Sequence, residues 1–382
     1  MNSFALYIHY PWCKSLCRYC DYNRFLAVDS ATVDHYFQAV IKDLKFEAPN
    51  YFNKEISSMY LGGGTPSRIS LDQLSKLFEK ISKYFLISDE CEITIELNPE
   101  DAHSKYLFGL KSMGFNRVSL GVQSFDNIAL RSLGRNHTKH HIGNAIKNIR
   151  EASFTNLNID LLVNISHSAS SELAFDDVKS LVSFNPEHIS LYEITTSELL
   201  NAMENENQRE QLWTENFFNL QQILFENDYI QYEINSYSKK NFECLHNLNT
   251  WTFGDYLGVG AGAVSRRTKG KASFLVMRPR DPESYTKKSL IGGAGYLNSL
   301  MVPQDYEIQA SDYLISLTRL RKGFSLREFY KKNPCASLYE WNKKITKAKH
   351  KGLLREDNGV VRPTPLGYRF LDDLHLMLRS GT

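Results

Sequence analysis

The sequence lacks the features that would take it out of the ordinary run of folded proteins. Its 45 basic and 43 acidic residues leave a net charge of only +2, too little to draw it onto nucleic acid or anionic lipid. The longest apolar runs, such as the one opening at Leu157, break within a few residues. A membrane span needs roughly 20, so no transmembrane segment is expected. The N-terminal MNSFALYIHY has no basic stretch, apolar core or small-residue cleavage site, which argues against a secretory signal. A cytoplasmic, reducing setting is therefore expected, and with it no disulfide framework. Cysteine is scarce too, at six in 382 residues, but its distribution is uneven. Cys91, Cys244 and Cys335 are scattered, whereas Cys13, Cys17 and Cys20 fall within eight residues and need a chemical explanation.

The first 230 residues alternate strand and helix patterns. Short β-branched or aromatic runs open at Ala5, Ser57, Cys91, Arg117, Leu157 and His188. Between them, apolar residues at i, i+3/i+4 spacing mark helices, as in Val33, Phe37, Val40, Ile41 and Leu44. Six βα units in succession predict an α/β fold, a parallel sheet curled into a full or partial barrel. The unusual residues gather at the strands' C-terminal ends: the cysteine triplet, Gly62-Gly63-Gly64-Thr65-Pro66, Glu96-Leu97-Asn98-Pro99 and Gln123-Ser124-Phe125, with Asp160 inside the fifth strand. Parallel α/β folds bind their ligands on that rim.

The alternation stops after Ile234. Residues 236–304 read as a connecting segment with His246, Trp251 and a run from Gly258 to Gly262. That run has no strand-then-helix dinucleotide context and reads as a tight packing turn. Residues 305–382 read as helices, a hairpin around Asn358-Gly359 and a closing helix, a small winged-helix-like domain. Its lysines at 343, 344, 347, 349 and 351 raise nucleic-acid binding as a low-ranked reading; a solvated helix face explains them more simply.

Three soft thiolates spaced C-x3-C-x2-C suit an iron–sulfur cluster or zinc. Structural zinc prefers four ligands, often from paired knuckles, and no second knuckle is present. A 4Fe–4S cubane on three cysteines leaves one iron free for a small molecule. A zinc loop or three structural cysteines remain the alternatives.

With Tyr7-Ile8-His9-Tyr10-Pro11 ahead of it, this triplet resembles the signature of radical S-adenosylmethionine (SAM) proteins. More narrowly, the chain is similar to the oxygen-independent coproporphyrinogen III oxidase group and its HemW-type heme-chaperone relatives. The likeness runs through GGGTPS, E-x-N-P, GVQSF, Leu133-Gly134-Arg135, the HN-x-x-x-W segment, LTRLRKG and TPLGYRFL. It implies a radical SAM core over residues 1–235, a partial (βα)6 barrel, with Cys13, Cys17 and Cys20 on the cluster. It also implies that Tyr7, Tyr19, Gly63, Gly64, Thr65, Glu96, Gln123, Arg135 and Asp160 contact SAM. Tyr22 stands where the oxidases carry a further cysteine, and only six residues precede Tyr7. Both differences favour a chaperone that binds heme and passes it to an acceptor protein, over a radical SAM enzyme acting on a tetrapyrrole. In the heme-associated segment His246 is the candidate axial ligand, against the alternative of a hydrogen-bonded core histidine. Thr250 replaces the tyrosine that the resembled motif carries there. The loop from Asn164 to His167 also departs from the glycine–proline turn of relatives. The sequence does not fix the oligomeric state; a homodimer is compatible with it.

Overall fold

The computed structural model describes residues 3–163, 171–193, 218–291 and 301–379. Six parallel strands form its centre: β1 (Ser3–Tyr10), β4 (Glu55–Gly63), β5 (Leu86–Leu97), β6 (Arg117–Gln123), β7 (Leu157–Val163) and β8 (His188–Glu193). They are hydrogen-bonded in that order. Helices connect them: α1 (Ser30–Glu47), α2 (Leu71–Tyr84), α3 (Ser104–Ser112), the pair α4 (Asn127–Ser132) and α5 (Lys139–Glu151), and α6 (Ser171–Ser183).

Strand periodicity explains the layering. Leu6 and Ile8, Met59 and Leu61, Ile93 and Ile95, Val118 and Leu120, and Ile159 and Leu161 all belong to one buried cluster with the helices. Their neighbours alternate onto the opposite face, where polar residues prevail: Tyr7, Tyr60, Glu96, Ser119, Asp160 and Ser190, one or more from every central strand, line a single cavity. A sheet whose six strands all reach one cavity is curled around it. This is the expected partial barrel, with an apolar outside and a polar inside.

The sheet does not end with those six strands. β11 (Tyr256–Val259) adds in parallel beside β1, followed outward by antiparallel β12 (Val264–Lys269), β13 (Ala272–Met277) and β14 (Met301–Pro303). At the other edge β10 (Ser236–Ser238) and β9 (Ile230–Gln231) pair antiparallel beyond β8. The stretch read as a connecting segment thus supplies β11 to β14 on one flank of the sheet and β10 on the other. Its glycine run is the close-packed turn expected: a Cβ on Gly260, φ +102°, would lie 2.6 Å from the His9 carbonyl oxygen and from the Tyr36 hydroxyl. A buried ion cluster fastens this flank to α1, with Arg278 on Asp43 at 3.1 Å and on Glu47 at 2.9 Å.

The C-terminal unit has its own core around Leu314, Phe329, Trp341, Ile345 and Leu374. Helices Tyr306–Thr318, Leu326–Lys332 and Leu338–His350 pack with a three-stranded sheet whose hairpin, Leu354–Asp357 and Val360–Pro363, turns at Asn358-Gly359. Helix, strand, two helices and a hairpin wing is the winged-helix arrangement. Among the described residues no helix is long and apolar enough to cross a membrane.

Candidate functional site

The cavity has a volume of about 800 Å³ and opens at the C-terminal ends of the central strands. All thirteen residues singled out from the sequence line it: the three cysteines, the nine candidate SAM contacts and His246.

The cysteines sit on the loop after β1, which β2 (Trp12–Cys13) and β3 (Phe25–Leu26) close by pairing in parallel. Arg24 ties the loop from within, donating to the carbonyls of Cys20 (2.8 Å) and Cys17 (2.7 Å). Arg18 N–H reaches the Leu133 carbonyl, and Asn136 donates to Ser15. The loop is thereby anchored to the segment that carries Arg135. Burial pushes the thiols of Cys13 and Cys20 up, and a hydrogen bond from Thr65 partly offsets this at Cys13.

All six cysteines are free thiols. Among the described residues no three His, Cys, Asp or Glu side chains are grouped to grip one metal ion; on a 4Fe–4S cluster each cysteine would take a different iron.

On the facing wall, Glu96 accepts from the Gly63 N–H at 3.1 Å and holds the turn at the end of β4. Gly63 has φ +121°, and a Cβ there would lie 2.6 Å from His9; one on Gly64 would lie 2.8 Å from the Trp12 carbonyl oxygen. The room these glycines leave is filled by the chain itself, which brings β4's end against the cysteine loop. Arg135 donates to Asn98 at 2.7 Å and to the Gly121 carbonyl at 2.8 Å, with Tyr19 and Cys17 at 3.5 and 3.6 Å. Its Nε is buried without a partner. Asp160 accepts from Asn158 (2.8 Å) and Ser119 (3.2 Å). A bulge between Gly121 and Gln123 breaks the β6 register, and Gln123 takes φ +71°, the kind of local strain that recurs at binding sites.

Burial and then the neighbouring Asp160 push the Glu96 carboxyl up to about 7. Asp160 is raised as well, mainly by burial. Two carboxylates in one low-dielectric cavity resist joint ionisation, so this wall favours a cation. These features fit SAM and a 4Fe–4S cluster: thiols for iron, a carboxylate pair for a positively charged ligand, and in Arg135 an orphaned N–H donor. A cluster held by Cys13, Cys17 and Cys20 would be able to supply an electron to the sulfonium of SAM.

His246 lies deeper. Helix Leu245–Trp251 starts beneath the barrel, where Glu92 accepts from the N–H groups of Leu245 and His246 at 3.1 and 3.2 Å. The imidazole Nδ1 lies 3.2 Å from the Ser58 hydroxyl, and the ring sits among Tyr60 and Tyr7, centroids 5.1 and 6.2 Å away. Burial, then Arg117, lowers its pKa to about 3 and keeps it neutral. Thr250 turns back into its own helix, donating to the His246 carbonyl at 3.3 Å. The departure from the resembled motif at Thr250 therefore faces the helix.

Sequence reasoning missed His9, Arg117 and Arg319, and named Asn98 only as part of a strand end; all four line the cavity. His9 stands between the Tyr7 hydroxyl (2.9 Å) and the Asn23 carbonyl (2.7 Å). The carbonyl can only accept, so Nε2 carries the proton and Nδ1 receives the tyrosine. The inward phase of β1 and β6 could have flagged His9 and Arg117; Arg319 carried no such signal. The divergent loop Asn164–His167 lies outside the described residues.

Comparisons with known proteins place the chain in a family. The radical SAM superfamily model matches residues 7–169. The heme chaperone HemW of Buchnera aphidicola subsp. Schizaphis graminum is 31% identical, over 97% of this chain and 96% of that protein. The heme chaperone HemW of Escherichia coli K12 is 32% identical over 74% of this chain and 75% of its own. Among solved structures, coproporphyrinogen III oxidase (HemN) from Escherichia coli, a radical SAM enzyme, superposes with a TM-score of 0.82 at 20% identity. That match covers 100% of this chain and 91% of the oxidase; at that identity it speaks for the fold.

Proposed function

The chain belongs to the radical SAM superfamily and, within it, to the HemW heme-chaperone family, and from that premise we propose that it binds heme and delivers it to an acceptor protein. Cys13, Cys17 and Cys20 hold the 4Fe–4S cluster. The wall of Glu96, Arg135 and Asp160 orients SAM, with Tyr7, Tyr19, Gly63, Gly64, Thr65 and Gln123 around it. Heme occupies the remaining part of the cavity, with the neutral His246 available as a ligand to its iron. The setting is cytoplasmic, and the acceptor docks without nucleic acid taking part.

The observation that carries this reading is the joint lining of one cavity by the cysteine loop and by His246 and Trp251 of the heme-associated segment. Heme titration of the anaerobically reconstituted protein tests it. One equivalent should bind with a Soret band that changes in His246→Ala and should then move to a heme-free cytochrome. Absence of stoichiometric binding by the wild-type protein would contradict it. An oxidase reading is favoured by one observation, that all nine candidate SAM contacts meet in this cavity; its test closes the Discussion.

A further inference from the structure

Across the cavity from the cysteine loop, the wall near the end of β8 is made partly by the C-terminal unit. Arg319 follows helix Tyr306–Thr318 and reaches back over the barrel, its guanidinium carbon 4.2 Å from the centre of the Trp251 ring. The next residues fix it there: Leu320 forms a bridge with Glu233, and the Arg321 N–H donates to the Tyr232 carbonyl at 3.0 Å. Arg319, Trp251, Glu233 and Tyr192 all line the cavity.

This wall is short of partners. Arg319 Nε, Trp251 Nε1 and Glu233 Oε2 are each buried without a hydrogen bond among the described residues. Glu233 and Asp372 act on Arg319 through space, yet among the described residues neither lies within ion-pairing distance of it. Buried donors are rarely left unmet, and a partly buried cation without a counter-ion is costly. Glu233 does not fill the role at this distance, and burial raises its carboxyl above the usual range. Two orphaned N–H donors, one cationic and lying on an indole face, form the complement of a carboxylate carried by a flat aromatic body.

We propose that Arg319 and Trp251 form a carboxylate subsite at the junction of barrel and C-terminal unit, and that it receives a propionate of the heme. This rests on the heme-binding reading above and goes beyond it by fixing which end of the macrocycle the C-terminal unit recognises. It also gives the winged-helix unit a role in the cavity that requires no nucleic acid.

The test compares hemin with hemin dimethyl ester, in which both propionates are neutral, by absorbance titration of wild-type, Arg319→Gln, Arg319→Lys and Trp251→Phe proteins. SAM binding is measured on the same preparations, and retention of cluster iron serves as the folding control. The wild-type protein should prefer hemin over the diester by about tenfold or more, as expected of a charge-assisted contact. Arg319→Gln should lose most of that preference while keeping its affinity for SAM and for the diester. Arg319→Lys should retain part of it, and Trp251→Phe should weaken it. If wild-type protein binds hemin and diester equally, or Arg319→Gln keeps the full preference, the subsite is wrong while the heme reading stands. If Arg319→Gln instead loses SAM affinity, the carboxylate belongs to the methionine end of SAM and the proposal fails. If wild-type protein binds neither porphyrin, both readings fall.

Discussion

Replacing Glu96 with glutamine should make the ligand-free protein more stable at alkaline pH while weakening its hold on SAM. The carboxyl titrates near 7 in the folded protein against an ordinary 4.5. A carboxyl that binds its proton more tightly when folded stabilises the fold fully below pH 4.5, and that contribution is lost as pH climbs through 7. The gap corresponds to at most about 3 kcal/mol, and nearer ~2 kcal/mol once water in the open cavity screens the charge. Glutamine keeps an oxygen for the Gly63 N–H, now at 3.1 Å from the carboxylate, and removes the repulsion with Asp160. Urea unfolding of the ligand-free protein at pH 5.5 and pH 8 reads the difference. The wild type should lose about 1–2 kcal/mol more than Glu96→Gln between the two pH values. SAM affinity of the variant should fall at least tenfold through loss of a buried counter-charge. Equal pH dependence in the two proteins would refute the electrostatic argument for this wall.

Further outcomes follow from the same geometry. Cys13→Ser, Cys17→Ser or Cys20→Ser should abolish iron and sulfide incorporation and the associated visible absorbance, whereas Cys335→Ser, on an exposed residue, should leave them intact. Arg278→Met leaves Asp43 buried without its counter-charge, while Glu47 keeps Arg267 at 3.5 Å, and should cost about 3–5 kcal/mol in chemical denaturation; a loss below ~1 kcal/mol would show that the cluster contributes little. Because His246 is neutral down to about pH 3, ligation by it should give a heme affinity that is flat between pH 5.5 and 8. A step near pH 6.5 in the titration would point to a different, ordinary histidine.

Much of this fold was legible because the relevant signals are local. The i, i+2 alternation in CEITIEL puts Glu92, Thr94 and Glu96 on one face and Ile93 and Ile95 on the other, and the structure keeps that phase. The cysteine loop, the Gly62–Gly64 turn and the Asn358-Gly359 hairpin were visible from residue type and spacing alone. What was not legible depended on pairing across long distances. β11 joins β1 by placing Tyr256 beside Ala5, and nothing in TFGDYLGVGAG announces a partner some 250 residues away. For the same reason the segment from 236 to 304 read as a connector. Arg319 belongs to LTRLRKG, a stretch that carries the family likeness without marking a site; only packing of the C-terminal unit against Trp251 brings it into the cavity. His246 was noticed in a motif, but its place under the barrel depends on Glu92 receiving the start of its helix.

The most direct test of the central claim is one anaerobic preparation of cluster-loaded protein divided between two assays. One half receives SAM, a reductant and coproporphyrinogen III, and protoporphyrinogen and 5′-deoxyadenosine are quantified. The other half is titrated with heme and then mixed with a heme-free acceptor cytochrome. The account predicts stoichiometric heme binding and transfer with no protoporphyrinogen. Protoporphyrinogen formed over many turnovers, with no heme transferred, would contradict it and make the chain an oxidase despite Tyr22.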